Sequence, residues 1–263
     1  MAGEPPLRDL LAVAQEAAWV GGRRTLAYFR TGTAATEWKE DRTPVTAADR
    51  EAERLIRGVI VRAFPNHTVL GEEDGETTGS APVRWIVDPL DGTRTFVHGV
   101  PLYGTLVGVE VGGEPVVGVI YLPALDEMIA AARGSGCTWN GRPCRVSAAT
   151  RLDDALVVVT DERSARARSP AWDRLVTRTG MQRTWADCYG YVLVATGRAE
   201  IALDPVVDVW DCAALLPIVE EAGGRFTDWA GRRTIHGGEA VATNGALHDE
   251  VIGLLREDAA RRV

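Results

Sequence analysis

The sequence of 263 residues lacks paired cysteines, zinc-type histidines and long uncharged segments. Its four cysteines are scattered and form no C-x-x-C pair, and without a secretion signal this placement favours free, partly buried thiols in a reducing compartment. Its four histidines show neither H-E-x-x-H nor zinc-finger spacing, so a zinc site is disfavoured. The longest uncharged segment, residues 95–109, has 15 residues and is too short for a transmembrane helix. We therefore expect no membrane partner.

Basic charge is also scarce. With 29 Lys and Arg against 37 Asp and Glu, the net charge is −8. A protein that follows nucleic-acid phosphates normally carries a basic face, so we expect no nucleic-acid partner. The first ten residues carry acids and no apolar signal-peptide core, so we expect a cytoplasmic protein. An acidic protein still binds phosphate esters where metal cations reverse the local charge.

Helical and strand-like periodicities divide the chain into two different halves. In the first half, two amphipathic helices precede a strand-rich region whose turns predict an antiparallel meander. These predicted helices are 7–30 and 47–63, the latter with Leu55 on its apolar stripe, and the strands are 84–88, 103–111, 115–122 and 127–132. Asn140-Gly141 is predicted to form a tight turn.

From about residue 150, strands and helices alternate, which predicts an α/β half with a partly parallel sheet. The predicted strands are 155–160, 181–185, 200–204, 225–227 and 240–243, and the helices are 170–179, 189–197, 210–222 and 247–257. We therefore expect a mixed α/β (α+β) fold of two subdomains, 1–147 and 148–263, with a ligand cleft between them.

Acidic residues follow the predicted strands or open the predicted helices. Glu72 follows a short apolar run, Asp88 and Asp91 follow the strand RWIV and flank a predicted turn, Asp211 opens a helix, and Asp49 lies in the first turn of another. Hard cations such as Mg²⁺ prefer carboxylate and carbonyl oxygens. Carboxylates that converge repel each other unless a cation lies between them. Together these acids predict a divalent-metal site.

Each acidic motif taken alone also has a purely structural interpretation. Asp-Pro-x-Asp-Gly is common turn chemistry. Thr46-x-x-Asp49 and Asp208-x-x-Asp211 resemble capping boxes at helix starts. Glu72-Glu73-Asp74 alone is typical of a solvated loop. From the residues alone, both interpretations remain open.

The motifs taken together resemble those of the inositol monophosphatase superfamily of Mg²⁺-dependent phosphatases. The carrying segments, in the family's order, are TAAD at 46–49, GEE at 71–73, WIVDPLDGTRTFVHGVP at 85–101 and WDCAALLPIVEEAGG at 210–224. The resemblance covers nearly the whole chain. It implies a layered α-β-α-β-α sandwich, a phosphate monoester as substrate, hydrolysis by a metal-activated water and a homodimer.

Three further segments are similar to histidinol-phosphate phosphatases of this superfamily. They are FVHGVPLYGTLVG at 96–108, ADCYGYVLVATG at 186–197 and GGRFTDWAG at 223–231. They imply hydrolysis of L-histidinol phosphate to L-histidinol, a step of histidine biosynthesis. An inositol-1-phosphate or broader sugar monophosphatase is the alternative within the fold. A transcription-complex interaction protein on the same fold is the alternative of another class.

The resemblance also implies a role for each matched residue. Two to three Mg²⁺ ions would be held by Glu72, Asp88, the Leu90 carbonyl, Asp91 and Asp211. The amides of Gly92 and Thr93 would face the phosphate, and the Thr93 hydroxyl with Asp49 would orient the water nucleophile.

On the substrate side we expect Asp187, Asp204 and Asp211. Carboxylates beside the leaving group would favour the ammonium of histidinol phosphate over a hydroxyl, because charge-assisted hydrogen bonds are the stronger ones. The structural alternative is that Asp187 caps helix 189–197 and that Asp204-Pro205 is a turn.

Overall fold

The computed structural model describes residues 5–31, 36–38, 44–185 and 187–256, with the backbone alone at 36–38 and 44–45. Within these ranges, no helix is long and apolar enough to cross a membrane. The helices are α1 (Leu7–Thr25), α2 (Ala47–Ala63), α3 (Thr93–Val97), α4 (Glu162–Arg168), α5 (Ala171–Arg178), α6 (Cys188–Ala195), α7 (Val209–Glu221) and α8 (His248–Arg256).

A short antiparallel pair, β1 (Thr36–Trp38) and β2 (Pro44–Thr46), precedes a large sheet. The large sheet contains β3 (Thr68–Gly71), β4 (Gly75–Thr77), β5 (Val83–Asp91), β6 (Gly104–Val111), β7 (Glu114–Leu122), β8 (Glu127–Ala132), β9 (Cys137–Trp139) and β10 (Arg142–Cys144). Its order is β10-β9-β8-β7-β6-β5-β3-β4. The antiparallel meander predicted from the sequence is confirmed from β5 to β10. The unpredicted β3 runs parallel to β5, so their carboxyl ends share one edge.

The second sheet has the order β12-β11-β13-β15-β14. Its strands are β11 (Leu156–Val159), β12 (Met181–Arg183), β13 (Ile201–Asp204), β14 (Arg225–Thr227) and β15 (Ala240–Thr243). β11 is parallel to both β12 and β13, and the other pairs are antiparallel, so the partly parallel sheet is confirmed. The carboxyl ends of β11 and β13 therefore also share an edge.

Alternating side chains on the strands divide the core into layers. On β5, Trp85 and Val87 pack with α1 and α2, whereas Ile86 packs with α6 and α7. On β11, Val158 faces the same central helices, and Val157 packs outward with α5 and α8. Helices α6 and α7 thus lie between the two sheets. The layered α-β-α-β-α sandwich is confirmed.

Two local expectations are wrong, and one helix was missed. The first helix ends at Thr25 and not at residue 30, because the chain tightens into turns in which Ala27 N–H donates to Arg24 O at 3.1 Å. Leu55 is 42% exposed and leaves the apolar stripe of α2, whose buried face instead includes Asp49 and Glu53. Helix α4 was not predicted, because of its seven residues only Ala165 is buried.

The Asn140-Gly141 turn is confirmed. It joins β9 to β10, and both of its residues have positive φ, 49° and 74°. That geometry is characteristic of a two-residue hairpin turn, for which Asn-Gly is the favoured sequence.

Candidate active site

Asp88 and Asp91 lie on one strand, and an irregularity in that strand brings their side chains together. In a regular strand, residues three apart point to opposite faces. Here Asp88 pairs with Leu106 on β6 and Asp91 pairs with Gly104, so three steps on β5 match two on β6. The extra residue of this β-bulge lets both carboxylates face the same side. The turn expected between them is therefore a bulge within β5.

Pro89 fits this bulge for a physical reason. Proline cannot donate a hydrogen bond to the ladder, so in a sheet it is confined to edges, first residues and bulges. The Pro89 carbonyl accepts a 2.8 Å hydrogen bond from the buried Thr105 hydroxyl, and Leu90 N–H donates to Oδ1 of Asp88 at 2.9 Å. These bonds hold the two aspartates in register.

Two helix starts complete the acidic cluster. Asp211 lies in the first turn of α7 and accepts a 2.7 Å hydrogen bond from Asp208 N–H through Oδ2. Asp91 accepts one at 2.6 Å from Cys188 N–H at the start of α6. Carboxylate oxygens of Asp88, Asp91 and Asp211 all lie within 4.8 Å of one another. Glu72, directly after β3, lines the same cavity.

Repulsion and burial make this cluster costly without a cation. Burial raises the pKa of Asp88 well above its ordinary value, and the charges of Glu72, Asp91 and Asp211 raise it further. Burial, followed by the charges of Asp187 and Asp211, does the same for the pKa of Asp91. Burial is also the main cause that raises the pKa of Asp211 to about 7. An all-oxygen donor set of this kind fits a hard divalent cation.

Asp49 both caps a helix and touches the neighbouring active-site loop. Its Oδ2 accepts hydrogen bonds from the Thr46 amide at 2.8 Å and the Thr46 hydroxyl at 2.6 Å, which is the capping arrangement. The Thr93 hydroxyl lies within hydrogen-bond distance of two acceptors, Oδ1 of Asp49 at 3.3 Å and the Leu90 carbonyl oxygen at 3.1 Å. Burial, opposed by these Thr46 bonds, raises the pKa of Asp49 to about 6. The two interpretations of Asp49 are therefore compatible.

Gly92, in the first half of the chain, lies next to the carboxylate of Asp187, in the second half. Gly92 has φ +84°, and a Cβ there would lie 2.7 Å from Oδ2 of Asp187. The Asp187 carboxylate makes no capping bond to α6 and instead accepts a 2.8 Å hydrogen bond from the Thr95 hydroxyl. Burial raises its pKa, whereas Thr95 and the charge of Arg94 lower it. The capping interpretation of Asp187 is wrong.

Asp204 ends β13 and is buried at the base of the same cavity. One oxygen accepts from Thr160 N–H at 2.9 Å and the other from the Tyr191 hydroxyl at 3.0 Å. The Thr160 hydroxyl in turn accepts from Asp187 N–H at 2.9 Å. Burial raises the pKa of Asp204 to about 7. Asp187 and Asp204 thus belong to one hydrogen-bonded network.

All the predicted metal, phosphate and substrate-side residues line one cavity of about 330 Å³. Asp49 does not line this cavity itself but contacts the hydroxyl of Thr93, which does. Sequence reasoning missed Thr95, Thr160 and Tyr191, because nothing in the local sequence signals their long-range contacts with Asp187 and Asp204. It also missed Glu53, although a charged residue on an otherwise apolar helix face is a usable signal.

Comparison with known proteins agrees with this geometry. The model of the inositol monophosphatase family matches residues 7–260. The chain belongs to this family. Its expected activity as a metal-dependent phosphatase of a small phosphate ester is thereby confirmed.

Individual relatives cover nearly the whole chain. A protein named histidinol-phosphatase from Chlorobaculum parvum is 45% identical, over 93% of this chain and 96% of its own. A second so named, from Streptomyces coelicolor, is 37% identical over 96% and 99%. The crystal structure of the extragenic suppressor protein suhB from Bartonella henselae has a TM-score of 0.89 at 31% identity, covering 95% of this chain and 99% of that one.

Proposed function

We propose that this phosphatase hydrolyses L-histidinol phosphate to L-histidinol and phosphate, and so serves histidine biosynthesis. The observation that carries the proposal is the Asp187 carboxylate, which lies against Gly92 on the cavity wall. The names of the Chlorobaculum and Streptomyces relatives support the same substrate.

Two to three Mg²⁺ ions are the proposed cofactors. The ligands would be Glu72, Asp88, the Leu90 carbonyl, Asp91 and Asp211, whose oxygens suit this cation. Bound Mg²⁺ would lower the pKa of a water and stabilise the charge of the leaving oxygen. The protein contributes a rigid arrangement: the β5 bulge orients Asp88 and Asp91, and helix starts hold Asp91 and Asp211.

The phosphate is proposed to lie over the turn that follows β5. The first amides of a helix have no acceptor within the helix, and Gly92 and Thr93 stand at the start of α3. The absence of a side chain at Gly92 lets the Asp187 carboxylate lie next to this backbone. The Thr93 hydroxyl and Asp49 orient the attacking water, with Asp49 as the proton acceptor for that hydroxyl.

Specificity is proposed to come from Asp187 and, behind it, Asp204. In histidinol phosphate the ammonium is two carbons from the ester oxygen, so a carboxylate next to the phosphate loop is suitably placed for it. One oxygen of Asp187 accepts the hydrogen bond from the Thr95 hydroxyl, and the other would accept a hydrogen bond from the ligand. Asp204 contacts the substrate from the cavity base and holds Thr160, and thereby Asp187, in place. Asp211 borders the leaving group between them.

A substrate panel tests the proposal. Phosphate release with Mg²⁺ is measured for histidinol phosphate, inositol 1-phosphate and a neutral sugar phosphate. We expect the highest kcat/KM for histidinol phosphate. A preference for inositol 1-phosphate would assign the chain to the alternative within the family and would leave the phosphatase activity itself intact. The homodimer and the cytoplasmic location stay predictions, and sedimentation velocity measures the first.

A further inference from the structure

Glu53 is a buried carboxylate directly beneath the loop that carries Glu72. It lies one helical turn after Asp49 on the same face of α2, and its side chain is fully buried. Oε2 accepts a 2.8 Å hydrogen bond from Glu73 N–H, and Oε1 accepts one at 3.0 Å from Asp74 N–H. Both donors belong to the turn of residues 72–74, which connects β3 to β4.

Neighbouring groups show that this carboxylate is an integral part of the turn. A Cβ on Gly71 would overlap the Glu53 carboxylate, so the last residue of β3 has to be glycine for the carboxylate to fit. Arg57 donates from Nε to Oε1 of Glu53 at 2.8 Å and from Nη1 to Val69 O at 3.3 Å. It also donates to Gly75 O, on the other strand of the hairpin. The ion pair thus ties both strands to α2.

We propose that Glu53 is a positioning residue that sets the orientation of Glu72 toward the metal cluster, an inference that rests on the metal-ligand role proposed for Glu72. Groups behind a metal ligand fix its orientation, and their loss typically weakens metal binding. One face of α2 then contacts two different segments of the site. Asp49 contacts Thr93, and Glu53, four residues later, accepts hydrogen bonds from the two backbone amides that follow Glu72.

Glu53→Gln is the informative substitution, because it keeps the shape and removes acceptor capacity. The amide NH₂ of glutamine cannot accept a hydrogen bond, so one of the two loop amides loses its partner. We expect the half-saturating Mg²⁺ concentration to rise about 10-fold or more. We expect kcat at saturating Mg²⁺ to change much less. Mn²⁺ binding, followed without substrate by electron paramagnetic resonance, should weaken by the same factor.

Ile60→Ala is the matched control. Ile60 is buried on the same helix, and its truncation lowers stability through a cavity while the hydrogen bonds from residues 73 and 74 to Glu53 stay available. If Glu53→Gln weakened metal binding only by destabilising the fold, Ile60→Ala with a similar melting temperature would show the same Mn²⁺ affinity. That result would overturn the proposal. Should Glu53→Gln fail to fold, Glu53→Asp, which retains the charge on a shorter side chain, takes its place with the same expected direction.

A double-mutant cycle tests whether Glu53 acts through Glu72. If it does, Glu53→Gln should add little to the loss of Mn²⁺ affinity already produced by Glu72→Gln. Fully additive losses would overturn the proposal. The Mn²⁺ measurement uses no substrate, so a wrong substrate assignment would leave this test intact. Unchanged Mn²⁺ affinity in Glu72→Gln itself would instead contradict the ligand role in the proposed function.

Discussion

The Thr95 hydroxyl donates a 2.8 Å hydrogen bond to Oδ2 of Asp187, although 92 positions separate the two residues in the sequence. This contact joins α3, which follows the acidic strand β5, to the residue immediately before α6. It holds a carboxylate of the second half of the chain next to Gly92, in the turn that follows β5 in the first half. In the proposed function, substrate recognition and metal binding therefore depend on a junction that neither half of the chain forms alone.

Asp187→Ala should raise KM for histidinol phosphate by about 10-fold or more, because a hydrogen bond to a charged group contributes about 1.5–3 kcal/mol. Hydrolysis of a neutral sugar phosphate should suffer much less. Steady-state kinetics with both substrates measure the difference. Asp153→Ala, an exposed aspartate remote from the cavity, is the control. An equal loss for the two substrates would remove Asp187 from ammonium recognition.

Asp204→Ala should also raise KM for histidinol phosphate by about 10-fold or more, for the same reason. Unlike the Asp187 variant, it should lower the melting temperature, because Thr160 N–H and the Tyr191 hydroxyl lose their buried acceptor. Kinetics and thermal denaturation measured together test both effects. A lower melting temperature with unchanged KM would restrict Asp204 to a structural role.

Asp49→Asn separates water orientation from helix capping. The asparagine retains most of the cap, so the stability loss should stay near or below about 1 kcal/mol. Turnover should fall by about 10²–10⁴-fold, because the Thr93 hydroxyl loses its charged acceptor. Thermal denaturation and kcat are measured on the same preparation. Normal kcat with a reduced melting temperature would leave Asp49 with capping as its only role.

Gly92→Ala and Gly113→Ala form a matched pair. Both glycines have φ +84°, so each alanine should cost about 1–2 kcal/mol of backbone strain. A Cβ at residue 113 meets nothing within 4 Å, whereas one at residue 92 displaces Asp187. We expect only Gly92→Ala to lose activity and substrate preference. Similar kinetics for the two variants would contradict the role given to this close approach.

The metal-free protein should gain stability as the pH falls from about 8 to about 6.5. Asp204 and Asp211 have a pKa of about 7 in the folded protein against 3.8 ordinarily, so in this range the folded state takes up protons that the unfolded chain does not. The gain should be about 1–2 kcal/mol, or about 2–8 °C in Tm. Denaturation in EDTA across this range measures it.

Two comparisons sharpen this pH experiment. Asp211→Asn should reduce the gain, because one of the two titrating groups is removed, and saturating Mg²⁺ should reduce it because the ion competes with protons. Below about pH 6.5 the trend should weaken, since burial lowers the pKa of His248 to about 4 and the unfolded chain binds that proton first. Stability in EDTA that rises from pH 6.5 to 8 would contradict the assignment.

Long amphipathic helices and β-branched strands were predictable because their periodicity is local. The bounds of α2, β8, β14 and β15 agree with those expected, and those of α5 and α7 agree within one residue. The short polar helix α4 and the edge strands β4 and β10 bury little apolar surface, so they leave no such signal. The division into subdomains at residues 147 and 148 stays a prediction. Helix α7 of the second half packs on the first sheet, so the two halves share a core.

The sequence by itself determined which carboxylates are available, their order along the chain and their positions at the ends of strands and helices. These are properties of composition and of short-range periodicity. Only the tertiary structure decided that Asp88 and Asp91 face one side, because that depends on a bulge against β6. It likewise decided that Asp187 contacts Thr95 and that Glu53 contacts the Glu72 loop. Such contacts join segments far apart in sequence, and their energy exists only once both segments are packed in place.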